Sequence, residues 1–449
     1  MVLIDLTTYN KSIKFIPITT PRKVYYQMTE DFLHYVWKFQ KFSTTFLNST
    51  TNELINVERV GVHNFNSGPD FFNAQLLINN QLWAGNVEIH IKSSDWYAHR
   101  HENDIAYDNV ILHVVWEFDA EVFRKDNTAI PTLELKSIID PKLLENYRKL
   151  LNQKEQWIPC EKDFAKVEDF VFNNWLERLY VERLKQKSIL IEEELKKSNN
   201  HWEQVLFKLL CKNFGLKVNG ESFYSIANSF DYDLLLKIND VITFEALLFG
   251  QAGLLDPDIE NAYFKKMKEK YDFLRHKHQL DNNHVIKSKY FRLRPPNFPT
   301  LRLSQFATLY TEKPSLFSKI IEIKSIEDYY DLFAVSASSY WDSHFNFGVS
   351  SFKRKKNLTK PFIDLLLINT IIPVLFSYGK YTGKDNSEEL LKLAASISSE
   401  KNNIIKKFNE LRPSSTNGLH SQALLQLKNE YCNQKKCLKC VIGNSILNH

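Results

Sequence analysis

The sequence has few residues that break regular structure and lacks a long uninterrupted apolar run. Its 449 residues include 12 glycines and 14 prolines, which argues against a fibrous or low-complexity chain. The most apolar stretch, residues 362–378, is interrupted by Asp364 and Pro373, so we expect a buried helix there rather than a membrane span. The first 27 residues show no signal-peptide pattern. We therefore expect a cytoplasmic protein with no membrane partner.

Several catalytic motifs are absent as well. There is no Walker A loop, no dinucleotide-binding glycine fingerprint, no G-x-S-x-G elbow and no H-E-x-x-H motif, so neither ATP-driven chemistry nor a hydrolase triad has support. The formal net charge of +5 is mild and permits a nucleic-acid partner without requiring one. With 43% hydrophobic and 25% charged residues, the composition is typical of a globular protein, and the length suits two or three domains.

Alternating polarity marks a strand in the first third of the chain. Residues 86–92, Asn-Val-Glu-Ile-His-Ile-Lys, alternate polar and apolar side chains without a break. Because a strand has a period of two, the four polar residues share one face and the three apolar ones point into a core. The pattern predicts one strand over 70–78 and another over 83–92, joined by a turn at Asn79-Asn80.

The surrounding sequence predicts an α/β unit followed by helices. A helix capped by Thr29 precedes the two strands, and the nearly all-apolar stretch 109–116 suits a central strand covered on both faces. Beyond residue 150, apolar residues recur at helical spacing. We predict an N-terminal extension, an α/β domain, a helical domain and a short Cys-rich metal-binding tail, at residues 1–27, 28–150, 151–430 and 431–449.

Two carboxylates stand out on the predicted strands. Asp70 follows a Gly-Pro pair at the start of the first strand, and Glu88 lies on the polar face of the second. Carboxylates on neighbouring strands can hold Mg²⁺ or Mn²⁺, which prefer oxygen ligands and support phosphodiester cleavage. The plainer alternative is a solvent-facing strand edge with ordinary surface carboxylates.

This arrangement resembles the PD-(D/E)XK nuclease superfamily, in which an acidic residue starts one strand and a (D/E)-x-K triplet lies on the next. The resemblance implies a restriction-endonuclease-like mixed sheet and a nuclease acting on DNA, with Asp70 and Glu88 as metal ligands and the Ile89 carbonyl as a third. His90 stands where the superfamily has lysine, so His90 or Lys92 would orient the attacking water. Glu30, on the preceding helix, corresponds to the superfamily's helix glutamate.

Two other functions remain open. The histidine at position 90 favours a catalytically degenerate nuclease fold that binds nucleic acid or acts as a scaffold. A second polar cluster, Asp95, His99, His101, Glu102, Asp104 and His113, follows the strands. His99 and His101 could make a zinc enzyme or support the nuclease metal, whereas a hydrated loop is the plainer interpretation. His113, between valine and leucine, is typical of a buried core histidine.

The cysteines predict a second metal. Cys432, Cys437 and Cys440 crowd into nine residues, and Cys160 is a candidate fourth ligand. A distant cysteine joined to a C-terminal trio resembles the iron–sulfur staple of AddB-type nucleases of the RecB family, which implies a [4Fe–4S] cluster. Zinc, with Cys160 or His420 as the fourth ligand, is the alternative, and free thiols would bind neither. We expect Cys211 to be a buried apolar residue.

A basic segment follows in the helical region. Residues 287–302 contain no acid, and aromatic residues lie between their cations. Such a segment could contact phosphates while the aromatics stack on bases; a solvated surface loop is the alternative. The candidate nucleic-acid ligands are Lys287, Lys289, Arg292, Arg294 and Arg302.

The chain also resembles, over roughly residues 28–449, a bacterial family that is carried as a domain of unknown function. The resemblance rests on the segments TEDFLHYVWKF, NSGPDFFNAQ, WAGNVEIHIKSSDWYAHRHENDIAYDNVILHVVW, EALLFGQAGLL, FRLRPPNFPTLRLSQFA and YCNQKKCLKCVIGNS. It implies that the nuclease-like unit, the helical region and the Cys tail belong together, and it implies no activity.

Overall fold

The structure, a computed structural model, describes residues 28–151 and 156–448. The predicted N-terminal extension, residues 1–27, lies outside the described part. The chain divides into two units. Unit 1 consists of its described residues up to Pro159 together with 443–448, and unit 2 comprises Cys160–Ile442. The end of the chain therefore returns to unit 1, whereas its four metal-candidate cysteines belong to unit 2.

Unit 1 is built on a mixed sheet, as predicted. The described elements up to residue 151 are α1 (Glu30–Lys38), β1 (Leu47–Asn48), β2 (Leu54–Arg59), β3 (Val62–His63), β4 (Phe71–Ile78), β5 (Gln81–Lys92), α2 (Asp95–Ala98), β6 (Val110–Glu117), β7 (Thr132–Glu134) and α3 (Pro141–Leu151). The strand order is β1-β2-β4-β5-β6-β7, and β3 pairs with the start of β4. Strands β1 to β5 pair antiparallel, and β5, β6 and β7 pair parallel.

The predicted hairpin is confirmed. Asn79 and Asn80 connect β4 to β5, and both have positive φ, 49° and 65°, as a tight two-residue turn requires. The burial of β4 alternates along most of its length, which places one face in the core. Strand β6 is almost wholly buried between β5 and β7, as the apolar run predicted.

A β-bulge in β4 decides which side chains share a face. Ala74 pairs with Gly85, but Phe71 pairs with Val87, so the pairing shifts by one residue between them. Asn73 lies inside this shift and has φ +56°. A bulge inserts one extra residue into one strand and reverses the facing of every residue beyond it. The side chains of residues that precede Phe71 therefore lie on the opposite face of the sheet from the one they would occupy in a regular hairpin.

Helix α1 covers the sheet near this bulge. Thr29 at its N-terminus has extended backbone angles, and two acidic residues fill the first turn, where they complement the helix dipole. The apolar face is fully buried at Phe32 and Val36. The Trp37 indole donates to the Val60 carbonyl at 3.0 Å. The helix is thus held in a fixed rotation, with its polar residues along the opposite stripe.

Unit 2 is mostly helical, which confirms the prediction for this region. Its described elements are α4 (Asp169–Lys197), α5 (Trp202–Phe214), α6 (Leu216–Ala227), α7 (Tyr232–Leu235), α8 (Val241–Gln251), α9 (Ala262–His278), α10 (Pro299–Glu312), α11 (Leu316–Glu322), α12 (Ile326–Leu332), β8 (His344–Asn346), β9 (Val349–Ser350), α13 (Lys360–Leu366), α14 (Ile372–Thr382), α15 (Ser387–Ser396), α16 (Asn403–Leu411), α17 (Gly418–Gln426) and α18 (Val441–Leu447), the last of which continues into unit 1. A π-helical turn, Leu367–Ile371, joins α13 to α14.

The continuous helix Lys360–Thr382 is long and apolar enough to cross a membrane by length and composition alone. Within the protein, 72% of its most apolar window is buried. The apolar stretch at 362–378 is therefore a buried helix, as the polar interruptions predicted.

Candidate functional site

The two predicted carboxylates meet at the bulged end of β4. Asp70 immediately precedes this strand, and its backbone N–H donates to Glu88 Oε2 at 3.1 Å. In return, the Ile89 N–H donates to Asp70 Oδ2 at 2.9 Å. The side chains are 22% and 7% exposed, respectively. The bulge at Asn73 is what places both carboxylates on one face, because a regular hairpin would put Asp70 opposite Ile89 instead.

Helix α1 brings Glu30 and His34 to the same place. These residues are four apart and so share one helix face. The His34 Nε2 atom lies 3.2 Å from Asp70 Oδ2. Burial, followed by the negative charge of Asp70, raises the pKa of Glu30. Burial opposes protonation of His34, but the contact with Asp70 and the nearby acids outweigh it and raise the pKa of this imidazole. The protonated form of His34 is therefore favoured beside Asp70.

Glu88 is the most strongly perturbed of these acids. Burial, with a further contribution from the charge of Asp70, raises its pKa to about 9. A nearby negative charge and burial both disfavour the ionised form of a carboxylic acid such as Glu88. The structure thus brings Asp70 and Glu88 together, and their role as metal ligands stays a prediction.

Four histidines continue the cluster beyond Glu88. His90 Nδ1 hydrogen-bonds His113 Nε2 at 2.8 Å, and His90 Nε2 lies 3.1 Å from His99 Nδ1. His101 Nε2 lies 3.3 Å from Glu88 Oε1. Burial and neighbouring imidazoles lower the pKa of His90 to about 2 and that of His113 to about 3. These rings are therefore neutral, with lone pairs able to bind a metal.

The segment after β5 positions two of these rings. His99 follows α2, and His101 begins a short 3-10 turn, His101–Asn103. Arg100, between them, has φ +62°, which lets both histidines turn toward β5. The His101 ring stacks on Tyr107 with centroids 3.7 Å apart. The polar segment that could have been a hydrated loop thus folds back onto Glu88 and His90.

Lys92 is placed differently from His90. Its side chain is 54% exposed, and Nζ lies 3.9 Å from Asp119 Oδ2. His90, in contrast, is 1% exposed and has both ring nitrogens in contact with other histidines. The basic side chain next to Asp70 is that of His34, whose Nε2 lies 3.2 Å from Asp70 Oδ2. His34 matches no part of the superfamily pattern, although its position one turn after Glu30 is a signal that places it on the same helix face.

The four candidate cysteines come together in unit 2. Burial, followed by the charges that the other three thiolates would carry, raises the pKa of Cys160 well above its usual range. The same two causes raise the pKa of Cys432, and that of Cys437 to about 12. Cys160, Cys437 and Cys440 are buried, and Cys432 is half-buried. Residue 160 therefore joins a trio that lies more than 270 positions away in sequence.

Two other residues considered for this region have separate partners. Cys211 is fully buried, and its thiol donates to the Phe223 carbonyl at 3.2 Å, which fits the expected buried residue. His420 Nδ1 contacts Thr416 Oγ1 at 3.3 Å. Among the described residues, the group that accompanies the C-terminal trio is thus Cys160.

The basic segment contains exposed and buried cations. Lys287, Lys289, Arg292 and Arg294 are exposed and precede α10. Arg302 is buried within α10, donates to Gln305 and Asn297 at 2.9 and 2.7 Å, and lies 3.6 Å from the centroid of the Phe362 ring. Arg302 therefore has a packing role, and the nucleic-acid proposal below is confined to the exposed cations.

The chain belongs to a family described as "Protein of unknown function (DUF2851)". Its family model matches residues 30–403, which contain the histidine–carboxylate cluster, the basic segment and Cys160, while the C-terminal trio follows the match. No curated protein matches the chain, and no solved structure does either.

Proposed function

We propose that unit 1 is a metal-dependent phosphodiesterase that cleaves DNA. The observation that carries the proposal is the convergence of Glu30, Asp70 and Glu88, with His34 in contact with Asp70. Acids from a helix and two neighbouring strands around one point form a donor set that suits Mg²⁺ or Mn²⁺. The mixed sheet supports this, since an acid before β4 and another on β5 follow the PD-(D/E)XK pattern.

Asp70 and Glu88 would hold the ion, and Glu30 would add negative charge from α1. The bound ion would supply a water of lowered pKa and neutralise charge on the phosphate. In the overall hydrolysis, the water oxygen would replace the leaving ester oxygen on phosphorus, and one proton of that water would pass through solvent to the leaving oxygen. His34, whose pKa is raised, would stabilise the charge that grows on the phosphate. It would thereby serve in place of the lysine that His90 replaces.

Two features of unit 2 belong to the same proposal. The exposed cations Lys287, Lys289, Arg292 and Arg294 would contact DNA phosphates, and the exposed Phe291 beside Arg292 could stack on a base. The cysteine quartet would hold a structural [4Fe–4S] cluster or zinc ion, because gathered thiols are the donor set that these groups use.

The test is DNA cleavage with Mg²⁺ or Mn²⁺ by the full chain and by Asp70→Asn. We expect this variant to lose about 10³-fold or more in rate, since a positioned metal ligand is removed. Asp108→Asn, an exposed carboxylate of the same unit, is the matched control and should cleave normally. Both variants should keep the unfolding temperature of the wild type. Cleavage by Asp70→Asn at the wild-type rate would refute the assignment.

A catalytically degenerate, DNA-binding protein is the second candidate. The observation in its favour is His90, which occupies the lysine position but has both ring nitrogens in contact with other histidines. Binding of DNA by the wild type without any cleavage in either metal would support this alternative. Metal-stimulated cleavage that disappears in Asp70→Asn would exclude it.

A further inference from the structure

The donor atoms of the histidines around Glu88 are spaced much as the ligand atoms of a transition metal are. His90 Nε2 and His99 Nδ1 are 3.1 Å apart, His101 Nε2 and Glu88 Oε1 are 3.3 Å apart, and His90 Nε2 lies 3.6 Å from the same oxygen. The candidate nitrogen atoms all lie within 4.8 Å of one another. Bonds of about 2.0–2.1 Å in tetrahedral geometry separate neighbouring ligand atoms by about 3.3 Å. The distances are therefore near those of a bound site.

We propose that His90, His99, His101 and Glu88 form a second metal position, adjacent to the one at Asp70 and sharing Glu88 with it. The two oxygens of Glu88 face different partners: Oε1 faces the imidazoles, whereas Oε2 accepts the Asp70 N–H. A carboxylate placed in this way can bridge two cations, as in enzymes that use metal ions about 3.5–4 Å apart. The inference deepens the proposed function and rests on it for the catalytic meaning of the pair.

The surroundings of the imidazoles favour ligation over a purely packing role. The buried His101 Nε2 has no hydrogen-bond partner among the described residues and lies close to Glu88 Oε1. When His90 binds through Nε2, its Nδ1–H can donate to His113 Nε2, which fixes the tautomer. Such a second partner is a regular feature of metal-binding histidines. His99 is exposed, so an ion and a water molecule can reach the donor atoms of these histidines.

The two positions should differ in the ion they prefer. Three imidazoles and a carboxylate suit Zn²⁺, Co²⁺, Fe²⁺ or Mn²⁺, whereas Mg²⁺ prefers oxygen ligands. The position at Asp70 has carboxylates and lacks these three rings. We therefore infer a centre with one imidazole-rich position and one oxygen-rich position, which Mn²⁺ could fill on both sides.

Co²⁺ titration of the full chain tests this inference. Any metal held at the cysteines is left in place, and thiolate-to-cobalt bands in the near ultraviolet would reveal Co²⁺ binding there. We expect visible bands of cobalt with nitrogen and oxygen ligands. His99→Ala and His101→Ala should weaken Co²⁺ binding by about 100-fold or more, since second-partner changes alone cost about 10–100-fold. His284→Ala, an exposed histidine of unit 2, should bind as the wild type does.

Asp70→Asn separates this inference from the proposed function. It should abolish cleavage but retain the cobalt bands, because Asp70 is not a ligand of the second position. Co²⁺ binding without DNA cleavage by the wild type would overturn the function and leave the metal position standing. Wild-type affinity in both His99→Ala and His101→Ala, or loss of the cobalt bands in a folded Asp70→Asn protein, would overturn the second position.

Discussion

Buried polar groups have different kinds of neighbouring groups in the two units. In unit 2, the ammonium of Lys187 donates to the Ile368 carbonyl, Asn369 Oδ1 and Gln422 Oε1, at 3.2, 2.8 and 3.4 Å. Glu194, which is 1% exposed, forms ion pairs with Lys197 and Lys208 at 2.7 and 3.1 Å. In unit 1, the buried Glu88 accepts the Asp70 N–H and lies beside the His90 and His101 rings, and His90 itself contacts two other histidines.

This difference distinguishes buried polar groups with a structural role from those with a functional one. A buried charge that is enclosed by donors or acceptors of the right kind adds a defined packing arrangement and needs nothing more. Clusters of titratable groups with perturbed pKa values, such as Glu88 and His90, concentrate at functional sites. We therefore propose a bound cation for the cluster of Asp70, Glu88 and the neighbouring histidines, whereas Lys187 and Glu194 have polar partners within unit 2. The four cysteines Cys160, Cys432, Cys437 and Cys440 are groups of like kind that lie near one another in unit 2. They therefore provide a test of the comparison outside unit 1.

The largest effect is expected at that quartet. Cys437→Ser should empty the site and lower the free energy of unfolding by about 4 kcal/mol or more, because binding of a structural metal is coupled to folding. Metal analysis and the visible spectrum of protein purified without oxygen would measure the first effect, and denaturant unfolding the second. Iron with a broad visible absorption would identify a cluster, and a colourless zinc protein the alternative.

Cys211→Ser is the control for that change. It alters a buried thiol that donates to the Phe223 carbonyl, so it tests burial without a role in the quartet. The metal content should stay at the wild-type level. Equal metal content in Cys437→Ser and wild type would show that the four cysteines are structural residues of unit 2 without a metal role.

A smaller effect is expected at Lys187. Burial lowers the pKa of this ammonium from 10.5 to about 7. Between these values the unfolded chain binds more protons than the folded one, so this residue makes stability rise with pH from about 7 to about 10.5. Lys187→Met should remove that rise and, at pH 6, cost about 2–3 kcal/mol by removing the donor of three hydrogen bonds. Urea unfolding over pH 6–10 would measure both effects.

Lys185→Met provides the matched comparison for Lys187. Lys185 is exposed on the same helix, α4, so its replacement should leave both the unfolding free energy and its pH dependence close to those of the wild type. If the two variants gave the same pH profile, the ammonium of Lys187 would not be the group that titrates.

In unit 1 the sign of the stability change should reverse. Glu88→Gln removes a buried ionisable group that adjoins Asp70 while keeping an oxygen for the Asp70 N–H. In the presence of a chelator at pH 7, we expect this variant to be about 1–2 kcal/mol more stable than the wild type. Functional sites commonly lower stability in this way. Thermal and urea unfolding of the metal-free proteins would measure the difference.

Glu117→Gln changes a carboxylate on β6 that is 45% exposed and pairs with Lys136 at 3.2 Å. Its effect should stay within about 0.5 kcal/mol, as is usual for exposed ion pairs. A destabilised Glu88→Gln protein under the same conditions would show that Glu88 is a satisfied structural residue, which contradicts the comparison between the units.

The sequence predicts much of this arrangement because its signals are local. Alternation along 86–92 and the Asn79-Asn80 turn predict the hairpin, and the turn brings Asp70 close to Glu88. The bulge at Asn73, which puts both on one face, leaves no clear signal, since asparagine with positive φ is recognisable only in context. The folding of 99–101 onto β5 likewise depends on packing against Tyr107. Burial of Arg302 could not be predicted either, because its partners Gln305 and Phe362 are supplied by helix packing.

The smallest effect concerns the basic segment, where exposed and buried cations can be compared within one stretch of chain. Each phosphate contact that Lys287 or Arg294 makes should contribute about 0.9 to the slope of log affinity for duplex DNA against log salt. Lys287→Ala and Arg294→Ala should each lower that slope by about this amount and leave the unfolding temperature unchanged. Arg302→Lys should instead leave the salt slope unchanged and lower the unfolding temperature, because it keeps the charge but loses the paired donors to Asn297 and Gln305. A fall in the salt slope with Arg302→Lys, or none with the two exposed variants, would mean that DNA contacts unit 2 elsewhere.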